Sequence, residues 1–214
     1  IPIIVKFSNL DSYSLSLGRI IFATIFLFIW VFLTKTKIKS IKKDKVKFIF
    51  FGLFHALIII FFFIAIKLIN TATAVILLYA GAIYLVIFSA IFLREKIEKI
   101  TLISLVISFL GIVLIFFNEN LRLNLKGYLA GFLAGFFMSL VFLIGKILSK
   151  EYDKMTMTFV QNLIALPLML PLLFLIRFNW NIANLFTLVF LGIFCTAIAF
   201  LLLYSGMKQV KGQK

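Results

Sequence analysis

Seven runs of about 20 apolar residues, at about 14 to 33, 47 to 66, 73 to 93, 100 to 117, 127 to 148, 157 to 176 and 185 to 206, take up most of this 214-residue chain. A helix of that length crosses the hydrocarbon of a bilayer. None of the runs alternates with a period of two. Lipid offers no partners to backbone N–H and C=O groups, so each run has to satisfy its own backbone as a helix rather than a barrel strand. With 64% apolar and 14% charged residues, a soluble globular domain and a disordered chain are both excluded. The expected fold is an all-α integral membrane protein, a polytopic helical bundle with short connections.

The formal charge of +15 would suit nucleic acid if the basic residues formed one surface. They sort by loop instead. Lys35, Lys37, Lys39, Lys42, Lys43, Lys45 and Lys47 crowd the first connection, and the same side collects Arg94, Lys96 and Lys99, then Lys146, Lys150 and Lys154, then Lys208, Lys211 and Lys214. The other side has only Lys67, Arg122, Lys126 and Arg177 in its loops, with Lys6 and Arg19 near the start. The charge is therefore topological, and the Lys-rich loop 34–47 is expected on the cytoplasmic face of the cell membrane, beside anionic lipid headgroups. Nucleic acid is not an expected partner.

The single Cys195 cannot form an internal disulfide. Ile1 to Phe7 is apolar but too short to span and lacks a signal-peptide cleavage site, so it reads as the tail of a preceding helix. The chain also stops just after a helix, in Lys208 to Lys214, and is expected to be truncated at both ends.

An offset of about 140 residues superposes similar segments, the signature of an inverted repeat. Phe51-Gly52-Leu53-Phe54 falls on Leu191-Gly192-Ile193-Phe194, Ser14 to Arg19 falls on Thr156 to Gln161, and Ala65-Ile66-Lys67 falls on Gly206-Met207-Lys208 after a one-residue adjustment. Thr71-Ala72-Thr73-Ala74-Val75-Ile76-Leu77-Leu78-Tyr79 leads on to Phe92-Leu93-Arg94-Glu95-Lys96-Ile97 and then to Leu102 to Ile115 with Gly111. With Gly18-Arg19, and with Gly192 to Ala197, Tyr204 and Lys208, this pattern resembles the EamA-like family of the drug/metabolite transporter superfamily. The resemblance implies a ten-helix fold of two inverted five-helix repeats, here 1–118 (end of helix 1 to helix 5) and 119–214 (helices 6 to 8). It also implies a carrier of small metabolites, often amino acids, with a central cavity reached alternately from either side. The family's usual Pro in its fourth helix falls here on Ala82, which is expected to change the bend there.

Six residues are candidates for contact with a small-molecule substrate: Arg19, His55, Tyr79, Gln161, Thr196 and Tyr204. Arg19 lies inside an apolar run, where a cation is costly unless paired or wet, so it either faces a cavity or snorkels to the headgroups. An Arg there suits a carboxylate or phosphate. His55 is the only histidine; it is a packing residue, a cavity ligand or a proton carrier, and a lone His makes no metal site. Tyr79 and Tyr84 differ by roughly 140° around a helix, so only one can face a cavity squarely. Tyr79 is favoured because Thr73, Ala74 and Ala82 gather near it. Gln161 corresponds to Arg19 across the repeat, while Thr196 and Tyr204 enter through the eighth helix. Asn162 is expected to hydrogen-bond between helices. Pro167 and Pro171 should kink their helix.

Gly127, Gly131 and Gly135, with Ala130 and Ala134, form a small-residue stripe that serves either an internal helix contact, the favoured reading, or a homo-oligomer face. Glu95 is expected at the cytoplasmic rim. The acidic residues Asp11, Asp44, Glu95, Glu98, Glu119, Glu151 and Asp153 all fall in loops or at rims, so a proton relay through a buried carboxylate has no support in this stretch. No cofactor and no metal are implied. The chain has no HExxH and no Walker motif, which makes a membrane-embedded enzyme the least favoured reading and leaves no basis for an ATP-driven pump. The favoured reading is a secondary transporter, exporter or exchanger. The alternative is a structural or assembly subunit without a substrate.

Overall fold

Four of the helices among the described residues start where an Asp or Asn side chain replaces the backbone partner that the first turn lacks. The computed structural model describes residues 4, 5, 8, 10–94, 97–118, 124–176 and 181–207, with side chains there except at 112 and 115–118. Asp11 caps α1 (Ser12–Thr34), which Lys35 closes in the left-handed region at φ 49°. A short 3-10 turn, Lys42–Asp44, leads into α2 (Lys45–Leu68). Asn70 caps α3 (Thr71–Tyr79), which passes through Ala80 into α4 (Gly81–Phe92). Then come α5 (Lys99–Asn118) and α6 (Leu125–Leu148). Asp153 caps α7 (Lys154–Met169), and Asn181 caps α8 (Ile182–Gly192). A π-turn, Ile193–Ile198, joins α8 to α9 (Ala199–Met207) as one continuous span.

Six helical segments among the described residues are long and apolar enough to cross a membrane: Ser12–Thr34, Lys42–Leu68, Thr71–Phe92, Leu125–Leu148, Lys154–Leu175 and Ile182–Met207. The remaining expected run, 100 to 117, falls within α5. The protein is an all-α polytopic membrane bundle. Its outward side chains, such as Phe28, Phe32, Ile107 and Phe186, are exposed and apolar, as a lipid-facing surface must be.

α2 lies at the centre, packed on α6 and α7, while α1 packs on α8, the π-turn and α7. Without a hydrophobic drive between helices in lipid, close backbone approach sets such contacts. The small-residue stripe makes that approach internally: Gly127 abuts Leu68 and Ile69, Gly131 abuts Leu77, and Gly135 meets the Leu77 and Leu78 carbonyls and the Gly81 nitrogen. A Cβ on Gly81 would lie 2.4 Å from the Gly135 carbonyl oxygen. The break between α3 and α4 occurs at this crossing. In α7 the two prolines act in sequence: the α-helix carries Pro167 and ends at Met169, and Pro171 opens the tighter 3-10 turn Leu170–Leu175.

The connections gather at two ends. At one, the Lys39 ammonium donates to the Glu151 carbonyl (2.6 Å), Lys43 pairs with Glu151 (3.2 Å) and the Tyr152 hydroxyl donates to Asp44 (3.0 Å). Lys146 donates to the Met207 carbonyl (2.6 Å). At the other end, Lys67 donates to the carbonyls of Val5 (3.3 Å) and Ser8 (3.2 Å).

Candidate functional site

The site is assembled by four helices whose contacts recur in pairs. Asp11 accepts from the backbone N–H groups of Tyr13 and Ser14, and from the Ser14 hydroxyl. Asp153, its counterpart across the repeat, accepts from the N–H groups of Met155 and Thr156 and from the Thr156 hydroxyl. One turn on, the Ser16 hydroxyl donates back to the Ser12 carbonyl, as the Thr158 hydroxyl does to that of Lys154. α1 and α7 thus start from the same cap, and that cap fixes the phase of Arg19 and Gln161 within their helices.

The packing of these two helices is paired as well. A Cβ on Gly52 of α2 would strike Ile164 of α7 at 2.6 Å and lie 3.1 Å from the Gln161 carbonyl oxygen. A Cβ on Gly192 of α8 would strike Phe22 of α1 at 2.6 Å and lie 2.9 Å from the Arg19 carbonyl oxygen. Gly52 corresponds to Gly192, Ile164 to Phe22 and Gln161 to Arg19. The two crossings are the same contact made twice, each between a helix of the first half and a helix of the second.

The span formed by α8, the π-turn and α9 presents Thr196, Phe200 and Tyr204 at four-residue intervals, hence on one face. Each meets a different helix. Arg19 Nε donates to the Thr196 hydroxyl, and Arg19 Nη2 donates to the Cys195 carbonyl (2.9 Å). The His55 ring stands nearly perpendicular to that of Phe200, their centroids 4.7 Å apart. The Tyr204 hydroxyl donates to Gln161 Oε1 (2.7 Å). By the helical rise, the row covers about 12 Å of the span. Phe200 also touches the Tyr204 ring at 5.6 Å, which links the middle contact to the last.

The π-turn makes the first contact available. It interrupts the regular i to i−4 ladder: the Thr196 hydroxyl reaches the Leu191 carbonyl five residues back (2.9 Å), and the Cys195 carbonyl serves Arg19. Arg19 is 6% exposed and also lies over the Phe63 ring, 5.9 Å from its centroid. Phe63 corresponds to Tyr204 after the one-residue adjustment, so Arg19 on Phe63 and Gln161 on Tyr204 are again a matched pair. Arg19 is therefore neither snorkelling nor aimed at lipid. Its partners are uncharged: among the described residues the ion pairs are Lys43–Glu151 and Lys47–Asp44, and neither involves Arg19.

The second half of the row is less complete. His55 is 1% exposed with no hydrogen-bond partner at Nδ1 or Nε2, and the Gln161 Nε2 is buried and unpartnered too. Leaving a buried polar group unpaired costs about 1–3 kcal/mol. His55 corresponds to the Cys195–Thr196 step, so the counterpart of the Arg19–Thr196 bond would join Gln161 to His55. No such bond forms.

Of the six candidate residues, the structure brings together Arg19, His55, Gln161, Thr196 and Tyr204. Tyr79 makes none of these contacts: it ends α3 and is 65% exposed. Tyr84 is no substitute, its ring packing edge-on against Phe136 at 5.8 Å. Asn162 bonds within its own helix, Nδ2 to the Thr158 carbonyl (2.8 Å), rather than between helices, and its Oδ1 is unpartnered. Glu95 and Lys208 fall outside the described residues. Sequence reasoning missed Phe63, Phe200 and the Cys195 carbonyl. The signal for the last was the one-residue adjustment in the repeat, which falls where the π-turn takes up an extra residue.

Comparison with known proteins agrees with this architecture. An "Uncharacterized transporter" of Archaeoglobus fulgidus is 29% identical over 148 residues, covering 68% of this chain. The chain spans about half the length of that relative, 53%. A solved crystal structure aligns over 96% of this chain and 73% of its own with a TM-score of 0.74; at 18% identity the likeness is one of fold. The EamA-like transporter family matches residues 2–117 and 125–214, nearly the whole sequence, and the chain belongs to that family.

Proposed function

We propose that the protein is a secondary transporter, an exporter or exchanger of small metabolites such as amino acids, that works by alternating access between two EamA-like repeats, 1–118 and 119–214. The observation that carries the reading is the pair of matched crossings, Gly52 on Gln161 and Gly192 on Arg19, each joining the two halves. Carriers built from inverted repeats hold their substrate at that interface near the bilayer midplane and rock one repeat against the other. The made Arg19–Thr196 contact and the unmade Gln161–His55 contact support such a two-state interface. Arg19, His55, Gln161, Thr196 and Tyr204 are the proposed substrate-facing residues, and the loop 34–47 is assigned to the cytoplasmic side of the cell membrane.

Counterflow in proteoliposomes tests the proposal. Preloading with unlabelled amino acids should drive transient accumulation of a labelled one, and Arg19→Ala should slow it at least tenfold. No counterflow with any metabolite class, from vesicles holding folded protein, would overturn the carrier reading and favour a subunit without a substrate.

A further inference from the structure

Gln161 is held in one orientation, because its Oε1 accepts from the Tyr204 hydroxyl and its Nε2 is thereby aimed away from Tyr204. That Nε2 and both nitrogens of the His55 ring are buried and unpartnered. Their neighbours on α9, Tyr204 and Phe200, are consecutive turns of one face, so the two side chains share one neighbourhood. One turn further on lies the Arg19 charge, with only a hydroxyl, a carbonyl and a phenyl ring against it. The group offers amide N–H donors, an imidazole that donates through one nitrogen, and one full positive charge. Its complement is a group with two acceptor oxygens and a single negative charge. A phosphate dianion would bring one charge too many. The rings of Phe51, Phe63 and Phe200 around it suit an apolar remainder.

We infer that the substrate is a monocarboxylate with an apolar body, its carboxylate oxygens taken by Gln161 Nε2 and the His55 ring and its charge balanced by Arg19. The inference rests on the carrier reading and goes beyond it by naming the recognised end: the carboxylate is required and an amine is not.

The test uses the full chain in lipid nanodiscs, with leucine, 4-methyl-2-oxopentanoate and leucine amide as probes and saturable thermal stabilisation as the readout. Leucine and the oxo acid should both stabilise the protein, and the amide should not. Gln161→Glu, which puts a carboxylate in place of the donor, and Arg19→Gln should each weaken oxo-acid binding at least tenfold. His55→Gln, which keeps a donor, should weaken it less than His55→Phe. Melting of each variant without ligand establishes that it is folded. Stabilisation by the amide alone, or none by any probe, overturns the inference. Counterflow of a cationic or phosphorylated metabolite alongside that result would leave the carrier reading standing, whereas its absence would remove both.

Discussion

The Arg19 guanidinium donates to the Thr196 hydroxyl across 177 residues of sequence, joining the second half of the chain to the first through a residue inside the only π-turn among the described residues. A hydrogen bond to a buried charge is normally worth more than one between neutral groups, but within membranes measured side-chain bonds average well under their ideal value. A double-mutant cycle with Arg19→Gln and Thr196→Val should give a coupling energy of about 1 kcal/mol by equilibrium unfolding in detergent micelles. Additive single effects would mean that the pair does not bind the halves together.

The glycine crossings predict steric penalties. Gly192→Ala should destabilise by about 1–3 kcal/mol, since the added carbon meets backbone at Ala23 and Arg19 as well as the Phe22 side chain. Gly52→Ala should cost a similar amount, because the added carbon meets the Cβ and Cγ2 of Ile164 at 2.6 Å, atoms held close to the α7 backbone, and the Gln161 carbonyl oxygen at 3.1 Å. Gly111, with nothing within 4 Å of an added Cβ, is the control. There Ala should be neutral or stabilise by up to about 1 kcal/mol through helix propensity. Thermal melting of the three variants ranks them.

Asp153 predicts a pH dependence. Burial pushes its carboxyl up, but the Thr156 hydroxyl and the N–H groups of Thr156 and Met155 outweigh it, and the group titrates below its ordinary value of 3.8. A carboxyl lowered in the folded state stabilises fully above the unfolded value, and that gain is lost as pH falls through the folded value. The melting temperature of the protein should therefore exceed that of Asp153→Asn at about pH 6, with the gap closing towards about pH 3. Asp153→Ala, which removes the cap, should cost about 1 kcal/mol at neutral pH. A gap that is constant with pH would refute the carboxylate's role.

Two neighbouring contacts at the same end should differ in weight. Lys43 and Glu151 are solvent-exposed, so Glu151→Gln should change stability by less than about 0.5 kcal/mol. Tyr152 is buried and donates to Asp44, so Tyr152→Phe should cost about 1 kcal/mol. Equal effects in urea-assisted unfolding would contradict that ordering.

The spans were legible in the sequence because lipid permits one solution for a long apolar run, and Gly52 and Gly192 were legible as a pair because each must stay small where another helix crosses it. Arg19, His55 and Gln161 stood out because polar groups are rare in such runs. Phe63 and Phe200 did not stand out among 28 phenylalanines. Tyr79 stands outside this group of contacts, since its side chain at the end of α3 is exposed rather than packed against α9. The Cys195 carbonyl had no side-chain signature at all, since a backbone acceptor appears only when the helix carrying it is distorted.

That distortion governs the geometry of everything after it. An extra residue in an α-helix turns the rest of the helix by about 100°, enough to swing Phe200 and Tyr204 away from α2 and α7 and leave His55 and Gln161 facing other side chains. Winding the added residue into a wider turn at Ile193–Ile198 cancels the rotation and lets Tyr204 stand where Phe63 stands in the other half. The second copy thereby carries one more residue between Gly192 and Tyr204 than the first carries between Gly52 and Phe63 without being out of phase with it, and the surplus is stored where the Arg19 guanidinium is bound.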